Sequence, residues 1–290
     1  METLTPQYVD PLSDAGFKAL FCDPANKREL LALINTFLPP DRQAADIEYA
    51  TTEIPGITLS NKASRVDLRC TDRDRRNFIV EVQRSPQPNF FRRCVYYASR
   101  IYSFGSQKGD DQEYRLLPVY LIALLDRDFG FDRSSRSWSG RYESFYTFRE
   151  MSTGQVEDET ISLIFVELYR FRKIKYDDCG TAVERWCWML KNMERLEGPE
   201  KGGILYPDFT DLLEAGRIAG FSKEKRAKYD SDMITERDMY NILKTAREEG
   251  LAEGREEVAR KMLAAGMPLE EIAELTGIPA ARLENLRQSS

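Results

Sequence analysis

The sequence predicts an α/β fold of the α+β mixed-sheet kind, with a sheet in the N-terminal half and a helical region behind it. Three observations predict it. Three strand-like segments follow one another closely, at Ile47–Ile54, Ser64–Thr71 and Asn77–Gln83. An amphipathic helical stretch then separates them from Leu116–Leu125, a nearly continuous apolar run of the kind found in strands covered on both faces. Beyond about Asp177 the apolar residues recur at helical spacing.

The elements can be taken in order. Ser13-Asp14 supplies capping side chains for a first helix that carries Phe17, Leu20 and Phe21. A second helix, from about Lys27 to Leu38, puts Leu30, Leu31, Ile34 and Leu38 on one face and stops at Pro39-Pro40. After the three strands, a helix over Asn89–Phe104 carries Phe90, Cys94, Tyr97, Ile101 and Phe104. A helix crossing between strands brings the Leu116–Leu125 strand in parallel to one of the earlier ones, by a right-handed connection. Tyr142–Phe148 and Ile161–Phe171 read as two further strands of the same sheet.

The rest is helical. Trp186, Met189, Leu190 and Met193 make one apolar face, and Leu212, Leu213, Ile218 and Ala219 part of another. A long helix from about Ser231 to Ala265 runs into Gly266-Met267-Pro268, and its Gly250 and Gly254 suggest either a close helix–helix approach or a loosely held tail. Two short helices around Thr276-Gly277-Ile278 resemble a helix-turn-helix. Only Arg282 and Arg287 are basic in the second of them, so DNA reading and a packing or oligomerisation role both stand. The expected organisation is a sheet domain over 1–175, a helical extension over 176–238, and the long helix with its small tail over 239–290.

Composition narrows the chemistry. The chain has no histidine, which excludes imidazole-based serine or cysteine hydrolases and His-ligated metal centres. Its five cysteines are scattered without a C-x-x-C pair, as expected for reduced thiols in the cytoplasm. The opening residues lack a basic-then-apolar signal pattern, and no apolar stretch reaches the roughly 18 residues a bilayer span needs, so no membrane partner is expected. A net charge of −6 hides an asymmetry: residues 61–108 hold eleven Lys/Arg against four acids. Such a surplus suits either a phosphate-binding surface or a solvated basic hairpin.

The second and third strands form a hairpin whose pattern can be worked through. Pairing about Asp74 sets Val66 opposite Val82, Leu68 opposite Val80 and Cys70 opposite Phe78, which makes one apolar face. The same register sets Asp67 opposite Glu81, with Gln83 two residues further on that face. Opposed carboxylates, with Cβ atoms about 5 Å apart, repel and need an offset. A hard divalent cation is one solution; an arginine is the other, and Arg65 and Arg69 flank Asp67.

These residues carry a resemblance. D-x(6–30)-(D/E)-x-K on a hairpin within an α-β-β-β-α-β core is the signature of the PD-(D/E)XK nuclease superfamily. Within it the chain resembles the Rpn family of recombination-promoting nuclease and transposase proteins. The matching text is Asp14-x-x-Phe17-Lys18-x-Leu20-Phe21, Val66-Asp67, Val80-Glu81-Val82-Gln83, Arg93-x-x-x-Tyr97, Tyr114-x-x-Leu117-Pro118-Val119, Glu167-Leu168, Trp186 through Asn192, and the Glu/Gly/Arg-rich stretch Ala246–Glu257. The motifs span nearly the whole chain, and their order and spacing carry more weight than any one of them. Val66 stands where the superfamily has proline, and Gln83 where it has lysine.

The resemblance implies a restriction-endonuclease-like αβββαβ core with additional strands, and a Mg²⁺-dependent DNA endonuclease activity in recombination, mobile-element transfer or defence. Asp67, Glu81 and the Val82 carbonyl would hold one or two Mg²⁺, with Mn²⁺ as an alternative. Gln83 would position water by hydrogen bonding alone, leaving more to the metal or to Lys18 or Arg93. Asp14 and Lys18 would join from the first helix, although Asp14 also reads as a cap and the two as a surface ion pair. Arg65, Arg69, Arg84, Arg92, Arg93, Tyr97 and Arg100 are candidates for DNA contact; for Tyr97, core packing is the competing role. The alternative is a catalytically inactive nuclease fold that binds DNA, with Arg65 and Arg69 neutralising the carboxylates. A third reading is a helical partner-binding protein on a sheet scaffold, and the C-terminal helices are a candidate homo-oligomer surface.

Overall fold

The computed structural model describes residues 6–54, 64–104, 117–156, 160–197 and 205–288. Lys62, Lys108 and Tyr114 lie outside them. The chain divides into two compact units, residues 1–232 and 233–290.

In the first unit, α1 (Asp14–Phe21) starts at Ser13, whose Oγ accepts the Gly16 N–H at 2.9 Å. Ser13, not Asp14, is therefore the cap. A Cβ on Gly16 would sit 1.9 Å from the Asp10 carbonyl oxygen, so only glycine lets the preceding loop lie this close to α1. Helix α2 (Lys27–Phe37) buries Leu30, Leu33, Ile34 and Phe37. The strands are β1 (Glu48–Tyr49), β2 (Glu53–Ile54), β3 (Ser64–Arg65), β4 (Leu68–Thr71) and β5 (Asn77–Gln83). After α3 (Phe90–Phe104) come β6 (Val119–Leu125), β7 (Glu143–Tyr146) and β8 (Ile161–Glu167), then α4 (Ala182–Asn192) and α5 (Thr210–Gly216).

Six strands form one mixed sheet in the order β1-β4-β5-β6-β8-β7. β6 runs parallel to both β5 and β8, and the other pairs are antiparallel, which is the parallel entry expected after a crossover helix. Every residue of β6 is buried, as its uninterrupted apolar run requires. Helix α3 covers one face: Phe90, Cys94, Ala98 and Ile101 pack with Ile79, Leu121, Ala123 and Phe165. Each Phe, Ile or Leu among them contributes roughly 1.5–3 kcal/mol on leaving water.

Two expected strands are each broken in two, and the break has a visible cause. Ser64 and Arg65 pair with Ile54 and Glu53 in a separate two-stranded sheet, and the Val66 N–H goes to the Thr52 carbonyl at 3.0 Å. The chain therefore peels away from β5 before reaching Asp67. As a result Val66 does not face Val82 beside Leu68 and Cys70, but joins the cluster beneath α3 with Ile54, Ile79 and Phe90. β8 likewise stops at Glu167, short of Phe171. The Lys191 ammonium takes the Leu168 and Phe171 carbonyls at 2.8 and 2.9 Å, the groups a longer ladder would have used.

Helix α6 (Lys223–Ala264) begins earlier than its periodicity suggests, because Ser222 Oγ accepts the Lys225 N–H at 3.1 Å. In the second unit its last turns form a small core with α7 (Leu269–Thr276) and α8 (Ala280–Gln288): Ala259, Ile272, Leu283 and Leu286. Gly266 and Gly277, with φ of 78° and 71°, adopt the left-handed geometry that ends α6 and α7. The helix-turn-helix-like tail is thus present, but Arg282 is held by Glu256 at 2.8 Å. Along α6, Met239, Ile242, Leu243 and Leu251 are exposed, and among the described residues nothing approaches Gly250 or Gly254.

Candidate active site

Three elements converge at the C-terminal end of β5: β5 itself, the peptide Val66-Asp67 leading into β4, and the inner side of α3, with α1 supplying charge from beyond Asp67. The hairpin register is the one its apolar residues dictate, Leu68 opposite Val80 and Cys70 opposite Phe78. The turn is closed by Asp72, whose carboxylate accepts the Arg76 N–H at 2.8 Å and its guanidinium at 2.6 Å, with Arg75 at φ 63°.

Asp67 stands just outside the ladder and is joined to β5 through its side chain. Its Oδ2 accepts the Val82 N–H at 2.8 Å, and its own N–H donates to Glu81 Oε1 at 3.2 Å. The two acids are thereby locked together by reciprocal backbone hydrogen bonds. Glu81 is buried at 2 % exposure, whereas Asp67 is half-buried. Gln83, also buried, hydrogen-bonds through its side chain to Glu81.

Burial pushes both carboxyls up. For Glu81 the neighbouring Asp67 charge adds to it, reaching about 8, while Arg93 pulls in the opposite direction. For Asp67 the Val82 N–H opposes burial, Asp14 raises it further, and Lys18 and Arg93 lower it. Without a cation, the pair therefore holds a proton into the neutral range.

The remaining site candidates fall into three groups. Asp14 and Lys18 form an i,i+4 ion pair at 2.5 Å on α1, close enough for their charges to act on Asp67. Arg93 reaches from α3, with Nη2 3.6 Å from Glu81 Oε2, and its guanidinium lies over the rings of Phe90 and Tyr97 at 5.0 and 5.7 Å. The others are not gathered at the acids. Arg69 is bonded to Asn77 Oδ1 at 2.7 and 3.2 Å, and Arg84 is paired with Asp10 at 3.0 Å. Arg65 and Arg92 are exposed, while Arg100 lies partly buried on α3. Neutralisation of the acids by Arg65 and Arg69 is therefore corrected: Arg69 is committed elsewhere, and Arg93 and Lys18 are the cations acting on the pair.

One contact carried no sequence signal. The Cys22 thiol, at the end of α1, donates to the Asp67 carbonyl at 3.7 Å, and burial pushes it up to about 11, so it stays protonated. A lone cysteine 45 residues away shows no pattern by which this could be read.

The donor chemistry fits a hard divalent cation. Among the described residues no three His, Cys, Asp or Glu side chains form a preformed cluster. Two carboxylates and a backbone carbonyl remain, which suits an ion that keeps several waters.

A second buried glutamate lies on the same sheet. Glu167, 1 % exposed at the end of β8, receives Arg133 Nε at 2.9 Å and the Tyr169 hydroxyl at 2.7 Å, with Arg170 at 3.8 Å. Arg133 also donates to the Tyr146 hydroxyl at 3.0 Å and stacks on Trp138 at 3.8 Å. This network pins the segment after β6.

Among protein families, the model described as PD-(D/E)XK nuclease family transposase matches residues 11–246. No curated protein and no solved structure matches the chain.

Proposed function

We propose, from the premise that this chain belongs to the PD-(D/E)XK nuclease family transposases, that it is a divalent-metal-dependent endonuclease hydrolysing phosphodiester bonds in DNA. The observation that carries the reading is the reciprocal locking of Asp67 and Glu81, two acids held face to face with too little positive charge around them. A fold tolerates that arrangement when a cation completes it.

Asp67, Glu81 and the Val82 carbonyl are the groups that would hold Mg²⁺, with Mn²⁺ as a substitute. When bound, the ion supplies Lewis acidity and a water of lowered pKa. The protein's own residues do the rest. Glu81 would ligate the ion in its ionised form. The Asp67 N–H holds the Glu81 carboxylate and the Val82 N–H holds that of Asp67. Gln83, hydrogen-bonded to Glu81, orients water without adding charge. Lys18, tied to Asp14, contributes positive potential from α1.

DNA is the proposed substrate and recombination or mobile-element transfer the proposed setting. Arg65 and Arg92 are exposed cations that would meet the phosphate backbone. Five unpaired cysteines support a reducing cytoplasm, and among the described residues no helix is long and apolar enough to cross a membrane.

The test is supercoiled plasmid incubated with Mg²⁺ or Mn²⁺, beside Asp67→Asn and Glu81→Gln. Wild type should nick the plasmid, and each variant should fall by about 10³-fold. Equal nicking by all three, or none by wild type, overturns the assignment.

A further inference from the structure

Arg93 is the one cation in direct ion-pair range of Glu81 among the described residues, and no hydrogen bond ties it to that carboxyl. Glu81 Oε1 takes the Asp67 N–H and the same carboxyl is hydrogen-bonded by the Gln83 side chain, while Oε2 lies 3.6 Å from the guanidinium, too long for a hydrogen bond. Its Nε is buried and meets no hydrogen-bond partner among the described residues. The group is otherwise held away from Glu81, by the faces of Phe90 and Tyr97 and by a hydrogen bond to the side-chain oxygen of Gln87 near the start of α3. By contrast Lys18 is closely engaged by Asp14. A buried Nε left unsatisfied is a cost, and a second arrangement of the side chain would relieve it.

We propose that Arg93 is an exchangeable counter-ion: it occupies the cation's place beside Glu81, yields that place when a divalent metal enters, and then presents its charge to the substrate phosphate. The proposal rests on the metal-dependent reading above. Two positive charges cannot share the neighbourhood of Glu81 without repulsion, and the dication offers the two acids more. The guanidinium is built for the second role, since its planar fork matches phosphate oxygens. It would supply the positive charge that the neutral amide of Gln83 lacks. One side chain thus stabilises the metal-free protein and equips the metal-loaded one.

A purely structural arginine and an exchangeable one differ in the sign of one measurement. Mn²⁺ alone is titrated calorimetrically into the full chain as wild type, Arg93→Gln, Arg93→Lys and Glu81→Gln. Plasmid cleavage is then followed at saturating Mn²⁺. Removing the competing charge should make Arg93→Gln bind Mn²⁺ about ten-fold tighter. The same variant should cleave about a hundred-fold more slowly, with part of the rate restored by Arg93→Lys. Should Arg93→Gln not fold, Arg93→Met keeps the apolar stem against Phe90 and Tyr97 and removes the same charge. Mn²⁺ binding equal to or weaker than wild type, or cleavage at the wild-type rate, overturns the proposal while leaving the metal site standing. Wild type that binds no Mn²⁺ sinks the metal-dependent reading and this inference together.

Discussion

Glu81 and Glu167 lie two strands apart in one sheet, on strands that run the same way, and are 2 % and 1 % exposed. Their surroundings differ sharply. Each oxygen of Glu167 is met by a close donor, from Arg133 and Tyr169, with Arg170 behind them. Glu81 has one backbone N–H at 3.2 Å, the Gln83 side chain, a guanidinium out of bonding range, and another acid as its neighbour. Burial is the same in both, so burial does not separate a fixture from a site. What separates them is compensation: a saturated buried charge holds structure, and an under-neutralised one is available for chemistry.

That contrast can be broken in four ways, from the largest effect to the smallest. Glu81→Gln should cost about 10³-fold in plasmid cleavage yet leave the metal-free melting temperature unchanged or higher, because a carboxyl beside Asp67 is replaced by an isosteric neutral group. A steep loss of thermal stability would make Glu81 a fixture too. Glu167→Ala should do the reverse, stranding the Arg133 guanidinium at a cost of about 3–5 kcal/mol in urea unfolding, while the folded fraction still cleaves. Loss of cleavage at full occupancy of the fold would erase the distinction from the other side.

The third probe is pH. Glu81 has a raised folded-state pKa, so from about 4.5 to about 8 the folded chain binds a proton that the unfolded chain has released. Metal-free stability contributed by this group is therefore present below that window and is lost as pH rises through it. Melting curves across the window should slope downward, and Glu81→Gln or saturating Mg²⁺ should flatten them. With no histidine in the chain, no imidazole titrates there. An unchanged slope in Glu81→Gln would remove the proton from this site. The smallest effect belongs to Asp14→Asn, which breaks a largely exposed ion pair and should shift stability by only a few tenths of a kcal/mol. Its effect on cleavage, read alongside, decides whether Asp14 serves the site or only α1.

Much of this was legible in the residues. β5 has the bounds its composition suggests, and the apolar pairs Leu68/Val80 and Cys70/Phe78 fix the register that brings Asp67 to Glu81. Val66 was not legible: it continues the alternation of Leu68 and Cys70, and the Thr52 carbonyl, in the preceding strand-like segment, diverts it. Arginine roles were hidden for a related reason. Arg69, Arg76 and Arg84 contribute equally to a local surplus of charge, yet Asn77, Asp72 and Asp10 engage them. Such pairings depend on where the folded chain returns to itself, and composition does not record that.

The bond from the Val82 N–H to Asp67 Oδ2 has a practical consequence. One peptide group of the sheet is wired to the Asp67 carboxylate, so its proton senses that side chain directly. In an ¹⁵N-labelled sample the Val82 resonance becomes an indicator of what Asp67 is doing: protonated, ionised, or engaged by an added ion. It also dictates the right silent control. Asparagine keeps an oxygen for that N–H and alanine does not, so a spectrum of Asp67→Asn reports lost chemistry, whereas one of Asp67→Ala would mix in a loosened strand.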